Sequence, residues 1–239
     1  MIRYTETFYS IQGEALNTGR LCTWLRLFGC TLQCRGFGQK EPDNPDTWVP
    51  QRDVDPKQFI ELTYIPTPEV GCDSDYSWNG RFKHLVKTGS AREIADEIRN
   101  TIPDGMFGTS VGHVFTGGEP LMNQQSIMDI VDCWIEDGDT PAWIGIETNG
   151  TQKLKKEFIE YVSRMNIPMY FSISPKLLHV SGEQPDKAIK VDNIVEYIKI
   201  KPTSYLKLVL NEDERAWNQA LHLVNDVRTQ LESDVDVWV

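Results

Sequence analysis

From Gly112 onward, short apolar runs alternate with helical patterns, and that alternation leaves few folds open. Gly112 to Thr116 (GHVFT), Ala142 to Ile146, Met169 to Ile173 and Leu206 to Leu210 read as strands. Between them Ile127, Ile130, Val131 and Trp134 fall at helical spacing, Lys153 to Met165 reads as a helix, and another helix runs from Glu212 to about Gln230. Ile194 to Ile200 fits either state, and Val235 to Val239 reads as a last strand. Upstream, Ser90-Ala91-Arg92-Glu93 is a capping box ahead of a helix carrying Ile94 and Ile98. Arg20 to Phe28 is so continuously apolar that it predicts a strand covered on both faces. Strands alternating with helices imply right-handed crossovers and a mostly parallel sheet, hence an α/β fold.

Polar or glycine-rich clusters follow successive strands: Cys30 to Cys34, Thr116 to Pro120, Glu147 to Thr151 and Ser174 to Lys176. In parallel α/β architectures ligands bind outside the carboxyl ends of the strands, so these four clusters are expected to converge on one site. Between the first cluster and the helical region, residues 35–71 carry six prolines and predict an elaborated loop with one short helical turn near Lys57 to Leu62. The expectation is a single domain over 1–239 that contains this inserted loop.

A net charge of −11 repels phosphate backbones and anionic membrane surfaces, which argues against a direct nucleic-acid or membrane partner. No run of 18 apolar residues exists, and the opening MIRYTETFYSIQGE lacks the apolar core of a signal peptide, so a cytoplasmic location is expected. The five cysteines are an odd number in a chain large enough to build its own core, which makes a disulfide framework unneeded. Cys30 and Cys34 are spaced so that one loop could present both thiolates to a metal centre, as in iron–sulfur sites, whereas zinc sites more often show two CxxC pairs and no second pair is present. Taken alone, two such cysteines leave packing, nucleophile and ligand all open.

The surrounding motifs narrow the choice. Phe8-Tyr9-Ser10-Ile11-Gln12-Gly13-Glu14, Gly19, Leu25-Arg26-Leu27-Phe28-Gly29-Cys30 leading to Cys34, Cys72-Asp73-Ser74, Thr116-Gly117-Gly118-Glu119-Pro120-Leu121, Glu147-Thr148-Asn149-Gly150-Thr151 and Ser174-Pro175-Lys176 follow one another in that order. This series resembles the radical S-adenosylmethionine (SAM) enzymes and, within them, the 7-carboxy-7-deazaguanine synthase family, over nearly the whole chain. The resemblance implies an abbreviated, TIM-like partial barrel of mostly parallel strands. It departs at one point, because the usual C-x3-C-x2-C would place its third cysteine where this chain has Phe37. The family continues that third cysteine with Asp and a hydroxyl residue, which here is Cys72-Asp73-Ser74. An insertion of about 35 residues reconciles the two, since loop closure costs only logarithmically more with length. The spacing becomes C-x3-C-x37-C.

By resemblance, Cys30, Cys34 and Cys72 hold a [4Fe-4S] cluster and act as the catalytic cysteines. SAM would lie against Asp73, Gly117, Gly118, Glu119, Glu147, Asn149, Ser174, Pro175 and Lys176, and Ser74 would ligate Mg²⁺. The substrate, 6-carboxy-5,6,7,8-tetrahydropterin, would meet Ile11, Gln12, Gly13, Glu14, Arg26 and Thr116. Physically, an arginine between Leu25 and Leu27 must find an anion, either a bound carboxylate or an internal acid such as Glu14. Cys22 and Cys133 read as core or surface thiols, and His84 is the one histidine that stands near the motifs as a remote substrate candidate.

The activity so implied is conversion of the pterin to 7-carboxy-7-deazaguanine with loss of ammonia, on the way to queuosine or deazapurine marks. A flavodoxin-like or other electron donor and a homodimer are implied partners. Relatives are expected to continue past the strand resembling Val235 to Val239 with a proline-containing tail, so a shortened chain or a differently closed pocket is expected here. Two rival readings stand beside this one: a radical SAM activase of the anaerobic ribonucleotide reductase type, and a catalytically inactive scaffold that binds a partner through 35–71.

Overall fold

The structure, a computed structural model, describes residues 1–51 and 54–239. Its strands are β1 (Ile2–Ile11), β2 (Leu21–Leu27), β3 (Lys87–Gly89), β4 (Gly112–Gly117), β5 (Ile144–Thr148), β6 (Met169–Ile173), β7 (Tyr205–Lys207) and β8 (Val237–Trp238). They form one sheet in the order β3-β1-β2-β4-β5-β6-β7-β8, which is not closed among the described residues. From β2 to β8 every neighbouring pair is parallel, whereas β1 runs antiparallel to β2 and β3. The main helices are α1 (Ala91–Asn100), α2 (Gln124–Glu136), α3 (Lys156–Arg164), α4 (Leu178–Ser181), α5 (Pro185–Ala188), α6 (Val191–Ile200) and α7 (Glu214–Leu231).

Alternation along the strands divides the sheet into two faces. Leu25 and Leu27, Phe115, Ile144 and Ile146, Phe171 and Ile173, and Leu206 pack with Ile94, Ile98, Ile130, Trp134, Phe158, Ile194 and Val227 of the helices in the main core. The intervening residues point to the other face. There Val114, Trp143, Tyr170 and Tyr205 form a second, aromatic cluster with Cys22. One step further along the strands the same face turns polar, with Arg26, Thr116, Glu147, Ser172 and Lys207 lining a cavity.

Helix α1 begins as its sequence dictates: the Ser90 side chain accepts from the Glu93 N–H, and the Glu93 carboxylate accepts from the Ser90 N–H. Several boundaries differ from the sequence reading. β1, absent from that reading, is the longest strand, so Arg26 lies in the second strand rather than the first. β2 is covered by the core on one face only, since Trp24 and Arg26 line the cavity on the other. Ile194 to Ile200 belongs to a helix, β5 starts at Ile144 and reaches Thr148, and the strand expected at 206–210 is Tyr205–Lys207. In the proline-rich stretch, short 3-10 turns form at Pro45–Thr47, Pro56–Gln58 and Leu62–Tyr64, and the last two overlap the ends of the one turn expected near Lys57 to Leu62. No helix among the described residues is long and apolar enough to cross a membrane.

Candidate functional site

The carboxyl ends of β2, β4, β5, β6 and β7 open into a cavity of about 940 Å³. At one end its wall is charged and aromatic. Arg26 Nε donates to Glu6 Oε1 at 2.7 Å, and Tyr76 donates to the same oxygen at 3.1 Å. Thr116 donates to Glu147 at 2.9 Å, Lys207 pairs with Glu14 at 2.5 Å, and the ring of Phe8 stacks on Trp24 with centroids 5.6 Å apart. Arg26 remains charged here: burial works against its cationic form, but Tyr76, Glu6 and Glu147 outweigh it.

At the other end stand Cys30, Cys34 and Cys72, which share a cluster with Leu32, Phe37 and Ala188. Three features hold the loop that carries the first two. Glu183 Oε1 accepts from the backbone N–H groups of Gln33 and Cys34, at 2.6 and 2.7 Å. Burial works to raise the Glu183 carboxyl, yet those two N–H groups and the Lys187 ammonium hold it below its ordinary value. Cys34 itself adopts a left-handed conformation at φ 50°, unusual for a residue with a Cβ. Thr31 joins Thr151 through their hydroxyls at 2.7 Å, which ties the loop to the one after β5.

Burial pushes the Cys30 thiol up to about 11, and Cys34 higher still, while the Lys176 ammonium opposes both shifts. The sulfurs are not isolated. Leu32 N–H donates to Cys30 Sγ at 3.4 Å, Asn149 Nδ2 reaches it at 3.8 Å, and Trp78 Nε1 donates to Cys72 Sγ at 3.4 Å. No group of three side chains among the described residues converges to the distance that a single metal ion requires. A cube of four irons makes a different demand, because each thiolate takes its own iron and the sulfurs stand apart.

The double glycine acts on protein before any ligand. A Cβ on Gly117 would fall 2.1 Å from the Leu27 carbonyl oxygen, and one on Gly118 would fall 2.2 Å from that of Gly29. Only glycines let the loop after β4 lie this close to the loop after β2. Glu119 then turns inward, where its carboxylate accepts from Leu121 N–H (3.0 Å), the Thr148 hydroxyl (2.8 Å) and Asn149 N–H (2.7 Å). Burial raises it to about 7, against the pull of those donors and of Lys176. Ser174 N–H donates to the Thr148 carbonyl at 2.8 Å, and Lys176 Nζ to the Ser174 hydroxyl at 2.9 Å. Three successive loops are thus stitched to one another.

The four clusters do converge, as expected. Gln12, Gly13, Glu14, Arg26, Cys30, Cys34, Cys72, Asp73, Ser74, Thr116, Gly117, Gly118, Glu147, Asn149, Ser174 and Lys176 all line the cavity. Three expected residues do not. Ile11 is exposed at the end of β1, Glu119 is fully buried in its own hydrogen bonds, and Pro175 lies off the wall. His84 faces outward and meets the Phe59 carbonyl instead. The partner of Arg26 is Glu6, since Glu14 is taken by Lys207. The sequence reading missed Glu6, Phe8, Trp24, Tyr76 and Lys207 on the wall, and Glu183 behind the thiols. A period of two could not have found the first two, because a bulge between Tyr4 and Glu6 puts Glu6 and Phe8 on the face opposite Ile2 and Tyr4.

No protein-family model matches the chain. Among curated proteins, the 7-carboxy-7-deazaguanine synthase of Pyrobaculum aerophilum is 25% identical over 185 residues, which cover 77% of this chain and 59% of that protein. The chain therefore spans less than two thirds of that relative's length. The 7-carboxy-7-deazaguanine synthase of Burkholderia multivorans is 28% identical over 225 residues, 90% of this chain and 86% of that protein. Among solved structures, QueE from Escherichia coli covers 100% of this chain and 94% of its own at 19% identity, with a TM-score of 0.45. The two curated relatives carry the family name that the motifs resemble.

Proposed function

We propose that this chain is a radical SAM enzyme of the 7-carboxy-7-deazaguanine synthase type, which turns 6-carboxy-5,6,7,8-tetrahydropterin into 7-carboxy-7-deazaguanine and releases ammonia. The observation that carries this reading is Cys72. Far from Cys30 and Cys34 in sequence, it lies on the same cavity wall and in the same side-chain cluster. Three thiolates suit a [4Fe-4S] cluster with one iron left open to an outside ligand. Held by Cys30, Cys34 and Cys72, such a cluster would supply one-electron reducing chemistry toward the SAM sulfonium.

The protein's part is to position and to shield. Lys176 sets a positive charge beside the thiols, which favours their ionised, ligating form. Asn149, Ser174 and Lys176 share the cavity wall with the thiols, where SAM's polar groups would reach them. At the far end Glu6 engages the Nε edge of Arg26 and the guanidinium lies over the Tyr76 ring, while no hydrogen bond to its Nη groups is found among the described residues, which suits them to the pterin carboxylate. The stacked Phe8–Trp24 pair offers a flat surface for the planar pyrimidinone half of the pterin. Ser74, on the cavity wall beside Cys72, is the proposed protein ligand of Mg²⁺. An electron donor, a homodimer and a cytoplasmic setting complete the reading.

The test is turnover. Anaerobically reconstituted chain, given dithionite, SAM, Mg²⁺ and the carboxypterin, is expected to form a product with the mass and ultraviolet spectrum of the deazaguanine. Arg26→Gln is expected to raise KM steeply. Cluster-loaded protein that cleaves SAM but leaves the pterin intact would reject the substrate assignment and favour an activase.

A further inference from the structure

We propose that Trp78 sets the reduction potential of the centre at Cys72, an inference that rests on the radical SAM reading. The indole Nε1–H donates to Cys72 Sγ at 3.4 Å, and the backbone leaves it little choice. Trp78 closes the 3-10 turn Asp75–Ser77, its own N–H bonding the Asp75 carbonyl at 3.1 Å. The Ser77 hydroxyl donates to the Ser74 carbonyl at 2.6 Å, and the Ser77 carbonyl accepts from Gly29 N–H at 2.8 Å, which moors the turn to the end of β2. The indole is therefore aimed at the sulfur by a turn that is itself fastened beside Cys30.

The three sulfurs differ in their donors. Cys30 Sγ takes a backbone N–H and a weak amide contact, Cys72 Sγ takes an indole N–H with the Ser74 hydroxyl 3.7 Å away, and no donor to Cys34 Sγ is found among the described residues. An N–H dipole pointing at a cluster sulfur favours the more negative, reduced state and raises the potential. Trp78 also lines a second cavity, of about 510 Å³, together with Arg35, Trp48 and Arg81. Trp78 is thus common to the walls of both cavities, and solvent access is the other lever on a cluster's potential. Trp78 acts through Cys72 and is a positioning residue. Substitution by phenylalanine keeps a ring at this position and removes only the donor.

The test is an anaerobic redox titration with dithionite, followed by the electron paramagnetic resonance signal of the reduced cluster. Trp78→Phe is expected to hold the same iron per chain as wild type. At a fixed ambient potential, its ratio of reduced to oxidised cluster is expected to fall about threefold, which for a one-electron couple is a midpoint lower by about 30 mV. An unchanged midpoint at unchanged iron content overturns the inference and leaves the enzyme reading intact. Wild type that takes up no iron overturns both. Should the variant load poorly, wild type made with tryptophan labelled by ¹⁵N in the indole ring gives the answer without it. A ¹⁵N coupling to the reduced cluster is expected, and its absence overturns the inference.

Discussion

The loops after β4, β5 and β6 and the loop after β2 all feed one cavity, but they are held in different ways. The first three are short and lock one another: Glu119 of one collects donors from Thr148 and Asn149 of the next, whose Thr148 carbonyl accepts from Ser174 of the third. The loop after β2 is long, built of 3-10 turns, and carries every cysteine on the cavity wall. Its thiol segment hangs on one distant carboxylate, Glu183, and on contacts borrowed from the stitched loops through Gly118 and Thr151. One side of the site is thus fixed by its own short neighbours, and the reactive side adds supports from outside to the Gly29–Ser77 bond within its own loop.

The sharpest way to break this contrast is at the seam. Gly118→Ala drives a methyl group into the Gly29 carbonyl, which is backbone that cannot step aside, and against the Cys30 Cβ. It is expected to cost more than about 3 kcal/mol in urea unfolding and to abolish iron uptake. Normal stability would mean that the two loops are not pressed together.

Glu119 tests the stitched side through pH. Its folded carboxyl sits at about 7 against 4.5 as its ordinary value, so the folded state binds the proton more tightly. Stability from this group is therefore complete below about pH 4.5 and is lost as pH rises through 7, by about 3 kcal/mol at about 1.4 per unit. Iron-free Glu119→Gln is expected to lose that slope. The difference between the two profiles cancels His113, which burial lowers to about 3 and which acts in the opposite sense. Identical profiles would contradict the buried, proton-binding carboxyl.

Glu183→Ala probes the other side. It leaves the N–H groups of Gln33 and Cys34 without their acceptor, for an expected loss of about 2 kcal/mol and a 10- to 100-fold weaker hold on iron in chelator competition. Because Glu183 is held below its ordinary value, its contribution is present at neutral pH and fades as pH falls through that lower value; the variant is expected to lack this acid-side slope. Ser90→Ala, at the cap of α1 away from both loops, is the calibrant: about 1 kcal/mol of stability and no change in iron content.

Legibility in the sequence follows the same division. GHVFT followed by Gly-Gly, and MYFSI followed by Ser-Pro-Lys, announce a strand and a ligand-side turn within ten residues, so β4, β6 and their clusters could be read directly. The strand β1 was harder, since Ile2 and Tyr4 face the core while Glu6 and Phe8 face the cavity: a bulge between Tyr4 and Glu6 breaks the two-residue alternation. Ile194 to Ile200 had no periodicity strong enough to choose a helix. The pairings of Arg26 with Glu6 and of Lys207 with Glu14 depend on which strands become neighbours, and no local window contains that. Cys72 is the extreme case: only its tripeptide with Asp73 and Ser74 betrayed it, and Glu183 had no signal at all.

Iron content decides the central claim. Wild type reconstituted anaerobically with iron and sulfide is expected to bind about four irons per chain with cluster absorbance. Cys133→Ala, altered in helix α2, is expected to match it, and Cys72→Ala to lose both iron and colour. Full iron and an unchanged spectrum in Cys72→Ala would contradict a third thiolate arriving from beyond the long loop.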